Sequence, residues 1–210
     1  MTQRELIDSI ISEVNSIPTL RDKGLHPNTV LYQASKVYNQ ILGDLIAKGF
    51  TNLSLFTKLC IGADKTGIDV TLNTDTGIYY SIIPYVLSPV TDVRSGVRII
   101  GAMNDVSVIF PPLAREQVSI KQGTLSGRIG NTIFNTIGIN NDGQITADYI
   151  GMTADNLVPK VRMYLLLSLE SYDEDDTVYI PAGQDKVFID MVMNILQGKQ
   201  IKDMINLMQK

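Results

Sequence analysis

The apolar positions along the chain change period twice, and those changes divide it into three parts. From residue 2 the pattern is helical. Thr2 and Glu5 are spaced as a capping box, in which hydroxyl and carboxylate satisfy N–H groups at a helix start. Leu6, Ile7, Ile10, Ile11, Val14 and Ile17 then recur at i, i+3 and i+4, and Pro18 ends the pattern. RDKGLHPN reads as a polar connection. Asn28 is the expected N-cap of a second helix, whose stripe runs through Val30, Leu31, Ala34, Val37, Tyr38, Ile41, Leu42, Leu45 and Ile46. Lys48 complements its dipole, and Gly49 closes it as a residue free to turn left-handed.

From about Asn52 the segments are short, β-branched and separated by turn residues. LSLFTKLCIG, IDVTL, GIYYSIIPYVL, VRIIGAM, DVSVIF, QVSIKQG and NTIFNTIGI read as strands. Pro84 and Pro89 place YYSIIPYVLSP at a sheet edge or make it leave the sheet partway. PPLAREQ is a connection, since paired prolines cannot sit inside a ladder. NDG at 141–143 predicts a tight turn between Ile139 and Ile145. VPKVRMYLLLSLESY fits either a helix or a strand by pattern and reads best as a long strand. TVYIP reads as a short one. The helical period returns with Val187, Phe188, Met191, Val192, Ile195 and Leu196, and Ile201 to Met208 form a short continuation beyond Gly198. The expected fold class is α+β: two N-terminal helices, a β-rich middle of about seven strands (sandwich or barrel-like) and a C-terminal helix. One domain over 1–210 is expected, helical at 1–50 and 182–210 and β-rich at 51–181.

Composition narrows the function. A net charge of −4 does not point to nucleic-acid or anionic-membrane binding. The apolar runs are too short for a transmembrane span, and the opening segment carries acids that a signal peptide lacks. One cysteine, Cys60, allows no internal disulfide and reads as a small buried hydrophobe. One histidine, His26, excludes a histidine-rich metal site and reads as a solvated residue or turn donor. SGRIGNT and KTGID match no phosphate-binding loop, so their glycines read as turns and bulges.

The acids Asp173, Glu174, Asp175 and Asp176 form the densest charge cluster. Metal-binding carboxylates usually converge from separate elements, and calcium loops space their acids. DEDD therefore reads as a solvated turn, with partner contact as a second possibility. The basic residues, among them Arg94, Arg98, Arg115, Lys121, Arg128, Lys160 and Arg162, are spread singly, and some could pair with a neighbouring subunit. No catalytic, cofactor-binding or metal-binding residue is expected, and no cofactor.

The order of these segments resembles a family of virion proteins from tailed bacteriophages of Bacteroidetes hosts, including the crAss-like phages. The resemblance spans nearly the whole chain. It rests on RELIDSIISEVNSI, HPNTVLYQASKVYNQILGDLIAKG, KLCIG, DVSVIFPPLAREQ and YIPAGQDKVFIDMVMNIL as a Pro-initiated last helix. It implies a structural protein of the virion neck or tail, assembled in the host cytoplasm. Such a protein forms a homo-oligomeric, dodecameric ring on the portal or on adjacent rings, near packaged DNA and away from membranes. An acidic channel wall would let DNA slide. SGRIGNTIFNTIGINNDG is the stretch expected to reach a neighbour. Two alternatives remain: an assembly chaperone absent from the particle, and a metal-dependent hydrolase using 173–176 with Asp142 or Asp148.

Overall fold

The capping box at Thr2 and Glu5 forms as its spacing predicts. It opens α1, Gln3–Ser16, which buries Leu6, Ile10 and Val14. α1 ends before Pro18, as expected, and the proline opens a single further turn, α2, Pro18–Arg21, where its missing N–H is harmless. The cap of α3, Pro27–Ala47, lies two residues before the expected Asn28. His26 is the N-cap, and Asn28 donates its backbone N–H to His26 Nδ1. The histidine is thus an acceptor at a helix start rather than a turn donor. α4, Asp185–Leu196, buries Phe188, Met191, Val192 and Met193. It opens four residues after Pro181 with Gln184 as cap, so it is not Pro-initiated.

The computed structural model describes residues 1–48, 53–89, 96–114, 116–118, 132–181 and 184–198. Gly49 and the 201–208 continuation lie outside them. The chain clusters into two compact units. The helical unit comprises Met1–Phe56, Ser88–Val90 and Leu167–Lys210, and the β-rich unit Thr57–Leu87 and Thr91–Leu166. The helical part thus reaches further into the middle of the chain than its apolar period indicates, because 167–172 turns and packs on α3 instead of continuing a strand.

In the helical unit α1, α3 and α4 pack on one another. Each fully buried Leu or Ile there contributes about 1.5–3 kcal/mol. Several polar groups inside are paired, although the buried Tyr38 hydroxyl has no hydrogen-bond partner. Ser35 and Ser168 hydroxyls lie 2.6 Å apart, and Ser88 donates to Asn39 Oδ1 at 2.6 Å. The Tyr38 and Tyr172 rings meet edge to face at 6.4 Å.

The β-rich unit holds eight strands in two antiparallel four-stranded sheets among the described residues. In the first, β8 (Lys160–Leu166) is central. β5 (Val97–Ala102) pairs along one side; β1 (Thr57–Cys60) and β2 (Ile68–Asp69) share the other. In the second the order is β3 (Thr71–Leu72), β4 (Tyr79–Ile82), β7 (Ile145–Ile150) and β6 (Phe134–Ile139). The chain passes between the sheets in one residue, Val70, whose N–H donates to Pro159 O. β4 leaves its sheet before Pro84, as its prolines require. The NDG turn closes the β6–β7 hairpin with Ile139 opposite Ile145 and Gly143 at φ +78°.

Two expected strands are absent. DVSVIF makes only an isolated bridge, Ile109 to Gly101, and TVYIP only one from Thr177 to Thr2. Of QVSIKQG, Gln117 and Val118 are helical, and the rest lies outside the described residues. LSLFTKLCIG begins with a 3-10 turn, Leu53–Phe56, before β1.

Candidate functional site

The acid cluster folds into a turn, with Asp176 N–H on Asp173 O and Asp173 N–H on Asp176 Oδ2. It serves the start of α1. A helix begins with N–H groups that lack partners within it. Here Gln3 N–H donates to Asp176 O and Arg4 N–H to Glu174 O, both at 3.0 Å. Glu5 N–H goes to Thr2 Oγ1, and Thr2 N–H to the Glu5 carboxylate. The Arg4 guanidinium pairs with Glu174, which holds the arginine pKa above its ordinary value. Negative charge at this end also matches the helix dipole. The cluster is thus a capping turn for its own chain's first helix. Among the described residues no three of His, Cys, Asp and Glu are grouped to hold a metal. Asp142 and Asp148 belong to the β-rich unit, and 173–176 to the helical one.

The other singled-out residues are placed simply. Cys60 is buried on β1. Gly67 of KTGID has φ +116°, and a Cβ there would lie 2.9 Å from Lys160 Cβ, so the backbone and the packing both require glycine. Of SGRIGNTIFNTIGINNDG, residues 132–143 form an irregular lead-in, β6 and its turn, while 126–131 lie outside the described residues.

Two features of the β-rich unit were not apparent from the sequence. The first is a braced apolar loop. Arg162 points from central strand β8 and is only 6% exposed. Its Nη1 donates to Ala102 O and, at 3.1 Å, to Asp105 O; its Nη2 donates to Val106 O at 2.7 Å. Asp105 accepts from the Ser107 N–H and hydroxyl at 2.9 and 2.6 Å, which lowers its carboxyl pKa from the ordinary value. Gly101 lets this loop fold back, since a Cβ there would stand 2.5 Å from Val108 O. The result is a fixed turn bearing Val106 at 75% exposure and Ile109 at 51%, beside exposed Ile99 on edge strand β5 and Val108. Arg162, one of the singly spread basic residues, is spent on its own backbone.

The second feature is a polar basin on the second sheet, about 640 Å³ in volume. Strand alternation puts Tyr80, Asp148 and Thr136 in one row across β4, β7 and β6, with Thr146 opposite Gly138 in the next. The opposite face carries Ser81, Ala147 and Tyr149, which are buried; Tyr149 donates to Ser81 Oγ at 3.0 Å. The basin rim consists of the β3–β4 and β6–β7 turns. Asn73 Oδ1 accepts from Asp75 and Thr76 N–H, and Asn140 Oδ1 from Asp142 and Gln144 N–H, so both turns are fixed by their own side chains. The Thr136 hydroxyl is buried and has no hydrogen-bond partner.

No protein-family model matches the chain, and neither curated proteins nor solved structures show a significant match. No helix among the described residues is long and apolar enough to cross a membrane.

Proposed function

We propose that the chain is a structural virion protein that assembles into a dodecameric ring in the portal–neck–tail connector of a tailed phage. In this reading it joins the portal to the tail and lines the DNA channel. The segment order that resembles such proteins supports the setting. The observation that carries the assembly role is the braced loop at 103–109. Large apolar side chains stand in water there, and the buried Arg162 already fixes the backbone that presents them. A rigid apolar surface loses little conformational freedom when a neighbour covers it. A ring needs two different complementary faces on each subunit, and this loop supplies one.

Native mass spectrometry and negative-stain microscopy, with the protein alone and mixed with portal protein, test the reading. Closed rings or a portal-bound assembly are expected, and Val106→Asp with Ile109→Asp should abolish them while leaving the circular dichroism spectrum unchanged. A strict monomer that joins neither the portal nor a neighbouring ring would refute it. Mass spectrometry of purified particles distinguishes a ring protein, present in multiple copies, from an assembly chaperone, which is absent.

A further inference from the structure

We propose that Asp142–Gly143 is a site of spontaneous aspartate isomerisation, with the Asn140 side chain as the brake on its rate. The reaction needs no enzyme and no cofactor. The Gly143 backbone nitrogen attacks the carboxyl carbon of the Asp142 side chain. A nitrogen–carbon bond forms, and the amide proton leaves with the carboxyl hydroxyl as water. The cyclic succinimide then takes up one water at either of its carbonyls. Opening at one carbonyl restores aspartate. Opening at the other routes the main chain through the Asp142 side chain, which is isoaspartate. The water lost is regained, and nothing is oxidised or reduced. Asp142 is the only aspartate in the chain that precedes a glycine, and no asparagine does. That neighbour matters because a side chain on the attacking residue crowds the ring closure. Both residues are exposed at the tip of the β6–β7 hairpin, and a Cβ added at Gly143 would meet nothing within 4 Å. Water and the forming ring therefore both have room.

The folded turn opposes the attack. The Gly143 N–H donates to Asn140 O at 3.0 Å, so the attacking nitrogen must first give up that bond. Asn140 also ties the residues on either side of it. Its Oδ1 accepts from the Asp142 N–H at 3.0 Å and from the Gln144 N–H at 2.8 Å, and its Nδ2 donates to Gln144 Oε1 at 3.0 Å. Such a side chain stands in for backbone partners in a turn. Ring closure moves the Asp142 carboxyl onto the next main-chain nitrogen, and these bonds resist the movement. The reaction therefore starts from the opened turn, and the Asn140 side chain sets how much of that state exists. The product lengthens the main chain by one atom inside a turn closed at both ends by hydrogen bonds. Each modified copy then carries a permanently altered hairpin tip.

The full chain, held for several weeks at body temperature and mildly acidic pH, tests this. Peptide mapping with electron-transfer fragmentation separates the two main-chain isomers and measures isoaspartate at 142. The same chain unfolded in urea is the reference. Isoaspartate is expected at 142 in the folded parent, forming more slowly than in urea. Asn140→Ala should speed the folded reaction roughly two- to tenfold, the factor that corresponds to one net hydrogen bond, and should leave the rate in urea unchanged. Asn140→Asp keeps an acceptor oxygen for the two N–H groups and should react more slowly than Asn140→Ala. The proposal is overturned if the folded parent and Asn140→Ala both lack isoaspartate at 142, or if the parent reacts as fast folded as in urea. It is equally overturned if Asn140→Ala matches the parent when folded, is no faster than Asn140→Asp, or is accelerated to the same degree in urea.

Discussion

Removing the Arg162 side chain is the most direct test of how the exposed loop is held. Arg162→Ala deletes donors to three carbonyls. The bond to Ala102 O is buried, and an abandoned buried acceptor costs roughly 1–3 kcal/mol. The bonds to Asp105 O and Val106 O are only part-buried, so those carbonyls can turn to water and add less. Loss of the packed arginine stem adds to the cost, whereas relief from burying a charge subtracts from it. The net expectation is about 2–4 kcal/mol of destabilisation, read from urea unfolding with an unchanged slope. Hydrogen exchange should localise the effect. The amides of Val108 and Ala102, which bond to Asp105 O and Val108 O, should lose protection before those of the β6–β7 hairpin. Arg162→Lys should recover part of the loss, because one ammonium cannot reach all three carbonyls in the geometry of a planar fork. A loss below about 0.5 kcal/mol, within the usual range for a surface substitution, would show that the guanidinium does not hold the loop.

Gly101→Ala should destabilise by about 1–3 kcal/mol, the usual cost of overpacking, because its methyl meets the Val108 carbonyl; the same urea titration reads it. Burial raises the phenol pKa of Tyr38 and of Tyr149, so alkaline difference absorbance should show these two of the nine tyrosines ionising only as the chain unfolds. Asp105 has a lowered pKa, chiefly from the Ser107 hydroxyl. Its contribution to stability is therefore present above the unfolded pKa and is lost as pH falls through the lower folded value. The Ser107 amide shift should titrate with a midpoint below 3.8, and Asp105→Asn should abolish that titration.

Where a segment's fate is decided by neighbours in sequence, its pattern was readable. The Thr2–Glu5 box, the stripes of α1, α3 and α4 and the NDG hairpin all depend on residues a few positions apart. DVSVIF misled because Val106, Val108 and Phe110 alternate as a strand does. The deciding contacts are Asp105 with Ser107, a local turn, and Arg162, nearly 60 residues away in sequence. The Asp-x-Ser spacing was the available signal, and Asp64 with Thr66 repeats it in another turn. The cap of α3 was misplaced because histidine is an unusual cap, although Pro27 at the first helical position marked the start. Arg162 is a lone charge inside VRMYLLL, a run too apolar for a solvated face, and that was the signal for its burial. The basin was less legible. Its Tyr80, Thr136, Thr146 and Asp148 are polar positions scattered over three strands, and only the register brings them side by side.

The central position of β8 also sets the order in which the chain can fold as it is made. β1, β2 and β5 are all synthesised before β8, yet among the described residues each pairs with β8 and with no other strand. Until residue 166 leaves the ribosome they have no ladder to join, whereas β3–β4 and β6–β7 need only adjacent strands. A nascent chain with residues up to 150–160 outside the ribosome would carry a formed second sheet and three unpaired, β-prone segments. That interval, rather than the finished protein, is when the chain most needs protection from pairing with another copy of itself.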